Sequence, residues 1–268
     1  MKKSFSKKFK LLCFLTIGMF VNIIAHAELT IWQETGLTKR LALEKNITMA
    51  DANKFQDILL KLQSNRTTQN NKIFISISLN SEGGDVSAAL KIGELLRSVE
   101  GAAWVPNESI CYSSCVLVLA GGVRRSVGGG IVGIHRPYIP QSLIINSQEM
   151  GIFYKQLTNR LEKYFDSTNI DRKLASDMMK IPPEQIAILS RRKLAEYGLS
   201  ADDINVQEAD AMRKALELGI SRQELAKRVS KANAVCGTNL CEVPVGKINS
   251  EACYKYVACR ETITRSAR

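Results

Sequence analysis

Histidine is nearly absent: the 268 residues contain two, so any chemistry that needs an imidazole has almost no choice of residue. Long apolar runs are also scarce. A hydrophobic fraction of 45% with 24% charged residues is ordinary globular composition, which excludes a disordered, collagenous or multi-span membrane chain. No internal repeat and no low-complexity tract occurs, so solenoid architectures drop out. The strand–Gly83-Gly84–helix turn is neither G-x-G-x-x-G nor a P-loop, and Gly128-Gly129-Gly130 lacks the lysine and helix that would follow in a phosphate cradle. The cysteines form no paired C-x-x-C set, which argues against a zinc site. The formal charge of +11 invites a nucleic-acid reading. Its clusters at Arg124-Arg125, Arg191-Arg192-Lys193 and Arg222/Lys227/Arg228 lack interleaved aromatics and read instead as solvated surface.

The first 27 residues read as an address. Lys2, Lys3, Lys7, Lys8 and Lys10 precede an apolar stretch from Leu11 to Ala25, and Ala25-His26-Ala27 places small residues before Glu28. A basic segment, a short apolar segment and an A-x-A site predict a cleaved secretory signal, and the apolar part is shorter than the roughly 20 residues of a spanning helix. The expected product is periplasmic or secreted, with no membrane span. Cleavage takes Lys+Arg from 37 to 32 against 26 acids, a net charge of +6. It removes Cys13 and leaves six cysteines: Cys111, Cys115, Cys236, Cys241, Cys253 and Cys259. An even count in an exported chain favours disulfides, with Cys111–Cys115 on one helical turn as one feasible bridge. Cleavage also removes His26, so His135 becomes the single histidine.

Organisation follows from periodicity. Thr48 and Asp51 resemble a capping box ahead of Ala52, Phe55, Ile58, Leu59 and Leu62 at helical spacing. Ile73 to Leu79 is β-branched and alternating, a buried strand. A helix through Ala89, Ile92, Leu96 and Val99 follows, then strands at 102–105 and 131–134, and a helix marked by Phe153, Leu157, Leu161 and Tyr164. Ser113 to Ala120 is small or apolar throughout, so periodicity does not choose between helix and strand there. Alternating strands and helices predict an α/β domain with a largely parallel sheet over residues 28–205. Residues 206–268 form a helical extension with a Cys-rich tail, too poor in apolar residues to build its own core and expected to be stapled by two bridges.

Three signals lie in this frame: the strand–Gly83-Gly84–helix turn, Ser113-Ser114 between Cys111 and Cys115, and His135 at a strand end. Together, Asn80-Ser81-Glu82-Gly83-Gly84, Ser113 before Val-Leu-Val-Leu-Ala-Gly-Gly, Gly133-Ile134-His135-Arg136-Pro137 and Leu189-Ser190 through Tyr197-Gly198-Leu199 resemble the Clp-type serine peptidases. The resemblance covers roughly residues 45–205, and is close to an exported Clp-like group with a C-x-S-A-C nucleophile segment. It implies the Clp/crotonase fold of stacked β-β-α units, with Ser113 as nucleophile and His135 as general base. Ser114 and one of Gly83 or Gly84 would supply backbone N–H groups to the oxyanion.

Two positions depart from the family pattern. Ile186 stands where the pattern has the aspartate of the triad, which leaves Glu184, or next Asp177, as the acid to orient the imidazole. Glu82 replaces a proline in the oxyanion turn. The implied activity is that of an exported serine hydrolase of peptidase type, acting on a peptide or protein without cofactor or metal, in a homo-oligomer, and without nucleic acid. Three other readings remain beside it. One is a Clp-fold binding or assembly module without catalysis; another is acyl-CoA chemistry on the same scaffold. The third is a Ser–Lys variant that uses Lys91 or Lys173 in place of His135.

Overall fold

The computed structural model describes residues 28–36, 38–64, 73–138, 146–236 and 250–265. The expected signal segment 1–27, Cys241 and the side chain of Cys253 lie outside the described residues. In chain order the strands are β1 (Glu28–Thr35), β2 (Thr38–Ile47), β3 (Phe74–Gly84), β4 (Ala102–Val105), β5 (Ile110–Tyr112), β6 (Arg124–Val127), β7 (Ile131–Ile134) and β8 (Ala187–Ile188). The helices are α1 (Met49–Ser64), α2 (Val86–Ser98), α3 (Cys115–Gly121), α4 (Ser147–Ser167), α5 (Lys173–Lys180), α6 (Arg191–Tyr197), α7 (Ile204–Glu217), α8 (Arg222–Cys236) and α9 (Ser250–Arg265).

The sheet is largely parallel, as the alternation of elements predicts, and it forks. The first half of β3 pairs with β4 through Ser76↔Ala102 to Ser78↔Trp104, and β4 continues to β6. The far end of β3 pairs with β5 through Ser81↔Cys111, and β5 continues to β7. Among the described residues only β1–β2 and β7–β8 are antiparallel. The inward residues of β3, Ile75, Ile77 and Leu79, meet Leu41 and Leu43 of β2 and Phe55 and Leu59 of α1 in one core. The β1–β2 hairpin is an addition to the sequence reading, which starts its elements at Thr48. The capping box does form. Asp51 accepts from Thr48 N–H at 2.9 Å and from Leu29 N–H at 3.0 Å, so the cap also ties β1 to α1.

Helices α2 and α3 cross at backbone contact. A Cβ added to Gly121 would overlap the α-carbon of Gly93 and lie 2.5 Å from its carbonyl oxygen. Tyr164 of α4 closes the same crossing, donating its hydroxyl to Leu117 O at 2.7 Å.

One basic residue corrects the surface reading. Arg125 is 4% exposed, and its guanidinium donates to the carbonyls of Gly198, Ala201, Gly122 and Thr168 at 2.9–3.1 Å. Burial pushes it down to about 10. It therefore fastens the end of α3 to the segment after α6. Arg124 is partly exposed and pairs with Asp202 and Asp210, and Arg222 and Arg228 pair with Glu208 and Glu224. Much of the basic surface is thus neutralised within the chain. In the extension, α8 and α9 are joined by a Cys236–Cys259 disulfide, one of the two bridges expected there.

Candidate active site

The fork of β3 brings the separated motifs to one edge. Ser81 is level with Cys111, and Tyr112 is level with Gly133. The Asn80–Gly84 turn, the Cys111–Cys115 segment and the end of β7 are therefore adjacent by strand register alone. Between β5 and α3 the chain turns through Ser113 and Ser114. The segment that periodicity leaves undecided is thus a strand end, a two-residue turn and a short helix. Ser113 has φ 55°, the left-handed region that a serine seldom adopts. Its N–H donates to Gly133 O at 3.0 Å and its carbonyl accepts from Val116 N–H at 3.1 Å. Its hydroxyl has no hydrogen-bond partner among the described residues.

Gly83 has to be glycine on two counts. Its φ is 107°, and an added Cβ would sit 2.8 Å from Ser113 Cβ and 2.9 Å from Tyr112 O. Its N–H is taken by Ser81 Oγ at 3.1 Å, and Ser81 also donates to Lys45 O. Gly84 is exposed where Gly83 is buried. Ser114 donates its hydroxyl to Gly84 O at 3.1 Å, which ties the two turns together; its N–H meets no acceptor among the described residues. Ser81 is a positioning residue that the sequence reading passed over, since its role depends on a carbonyl 36 positions away. Glu82 is exposed.

Cys111 and Cys115 are bridged, with α-carbons 5.2 Å apart and both side chains fully buried. The bridge does not lie on one helical turn as expected. It spans from the middle of β5 to the first residue of α3 and brackets Tyr112, Ser113 and Ser114. Closing so short a loop stabilises by about 2 kcal/mol through the unfolded chain. Its greater effect is expected on the turn itself, because it limits how far Ser113 can relax from the left-handed region. The Cys111→Ala/Cys115→Ala variant is expected to unfold about 2 kcal/mol more easily in urea and to react roughly tenfold more slowly at Ser113. An unchanged rate would show that the turn holds without the bridge.

His135 is half-buried just beyond β7, with Nδ1 2.8 Å from Arg136 O. No hydrogen bond joins its ring to Ser113 among the described residues. The expected acids are elsewhere engaged or remote. Glu184 is exposed in a turn and bonds to neither Ser113 nor His135. Asp177 on α5 accepts from Lys180 at 2.7 Å and from Tyr197 OH at 2.7 Å, which hold it below the usual carboxylate range. The antiparallel register Gly133↔Ile188 and Ile134↔Ala187, extended by one residue past the ends of both strands, would set Ile186 opposite His135. Of the alternative bases, Lys91 donates to Asn53 at 2.9 Å and Lys173 is exposed on α5.

A forked, largely parallel sheet packed with helices makes this an α/β protein, with Ser113 on a strand-to-helix elbow and His135 just past the end of β7. The Clp protease family model matches residues 26–186, and the chain belongs to that family, which supports a peptidase-type function. Among solved structures, a serine-to-alanine mutant of the 1510-N membrane-bound stomatin-specific protease is similar. It has a TM-score of 0.45 at 16% identity, covering 63% of this chain and 82% of that one. No curated protein matches the chain. Among the described residues no helix is long and apolar enough to cross a membrane.

Proposed function

We propose that the protein is an exported serine peptidase working through an acyl-enzyme, with Ser113 as nucleophile and His135 as base. The observation that carries this reading is the conformation of Ser113: a left-handed elbow, an unpartnered hydroxyl, and an N–H bound to Gly133, two residues before His135. A serine hydroxyl attacks a carbonyl only when a base takes its proton, and that base then protonates the leaving amine. The oxyanion formed needs donors already in place. Ser114 N–H is one candidate and the exposed Gly84 the other; Gly83 has its N–H on Ser81. The substrate would be a peptide or protein, and the enzyme a homo-oligomer.

The signal segment 1–27, the domain 28–205 and the extension 206–268 complete the proposal, placing the mature chain in the periplasm or outside the cell. The two disulfides support that compartment. The test is fluorophosphonate labelling of the oxidised protein: the wild type should label and Ser113→Ala should not. Absence of label in both would favour the second reading, a Clp-fold binding module. One observation speaks for that module: Ile186 stands where the family pattern has an acid.

A further inference from the structure

Resting on that assignment of Ser113 and His135, we propose that the main-chain carbonyl of Arg136 does the orienting that the family pattern gives to a carboxylate. A carbonyl oxygen only accepts hydrogen bonds. With Arg136 O 2.8 Å from Nδ1, the hydrogen of the neutral ring therefore sits on Nδ1. Nε2 is left bare, which is the tautomer a general base requires.

The carbonyl is held from several sides. Arg136 N–H donates to Ile181 O at 3.0 Å, and the guanidinium lies over the Tyr154 ring at 5.4 Å. Tyr154 OH in turn donates to Pro137 O at 3.1 Å. Pro137 also restricts the residue before it to extended backbone. Meanwhile the family pattern's carboxylate is replaced in sequence by Ile186. The β7–β8 register, extended by one residue, would set Ile186 opposite His135, and a Cβ added to Gly133 would lie 2.4 Å from the Ile186 methyl. Orientation is kept and charge is given up. A neutral acceptor stabilises the imidazolium formed during the reaction less than a carboxylate does, since charge-assisted bonds are roughly twice as strong.

Once residues 1–27 are gone, His135 is the single imidazole of the chain, so one ring reports on the question. Nitrogen-15 NMR of the oxidised, processed protein, above the ring's titration, is expected to show hydrogen on Nδ1 and a bare Nε2. Hydrogen on Nε2, or an even mixture, would overturn the proposal. Labelling separates this outcome from that of the proposed function. An Nδ1–H ring without label at Ser113 removes the peptidase and keeps the orienting carbonyl; label with an Nε2–H ring does the reverse. Ile186→Asp supplies the missing acid. A labelling gain below about 100-fold, or none, fits a ring already oriented. A gain approaching about 10⁴-fold, the size of a tautomer error in a triad, would mean that the carbonyl orients nothing.

Discussion

His135→Ala is expected to slow phosphonylation of Ser113 by about 10³-fold, against complete loss in Ser113→Ala. The size follows from the role: a positioned base contributes roughly 10²–10⁴-fold, and residues 28–268 hold no second imidazole to replace it. The lysines do not replace it either, since Lys91 is bonded to Asn53 and Lys173 is exposed on α5. Added imidazole should recover part of the rate, because removing a half-buried ring leaves space for a free one. Labelling time courses of the three proteins at equal concentration decide the point. A rate in His135→Ala within a few-fold of the wild type would remove His135 from the mechanism.

Gly121→Ala is expected to destabilise the fold by about 3 kcal/mol or more, lowering the melting temperature by roughly 10 °C. The new methyl would meet the α-carbon and carbonyl of Gly93. Backbone does not swing aside as a flexible side chain does, so α2 and α3 must separate. Separation weakens the contacts of fully buried residues on both helices, Ile92, Leu96, Leu117 and Val118 among them, and strains the Tyr164–Leu117 bond. Urea and thermal unfolding measure the loss. A midpoint equal to the wild type would show that the two helices have room to part.

The elements legible in the sequence are those with a period of their own. Ile75, Ile77 and Leu79 announce β3, and Phe55, Leu59 and Leu62 announce α1. The β1–β2 hairpin was not legible: β2 buries Lys39 beside Leu41 and Leu43, and that lysine breaks the apolar alternation. Arg125 misled for a similar reason. A guanidinium is a surface group unless carbonyls distant in sequence converge on it, and nothing local records that convergence. In the site, Ser113, His135 and the glycine turn were legible because their residue types are constrained by chemistry and by φ. The Arg136 carbonyl was not, since every residue carries a carbonyl and only the fold decides which one faces a ring.

Strand β3 belongs to both arms of the fork, and this bears on how the gene can vary. In the other described strands a residue gained or lost disturbs at most two pairings, whereas β3 takes part in three. Within 74–84, a one-residue insertion ahead of Ile75 would either turn Ile75, Ile77 and Leu79 away from the core and slip the registers with β2 and β4, or pass the surplus residue on to Ser81 and shift it from its place beside Cys111 and Lys45. Either the core or the serine elbow would be lost. Length variation in the family should therefore collect in the connections and spare this strand.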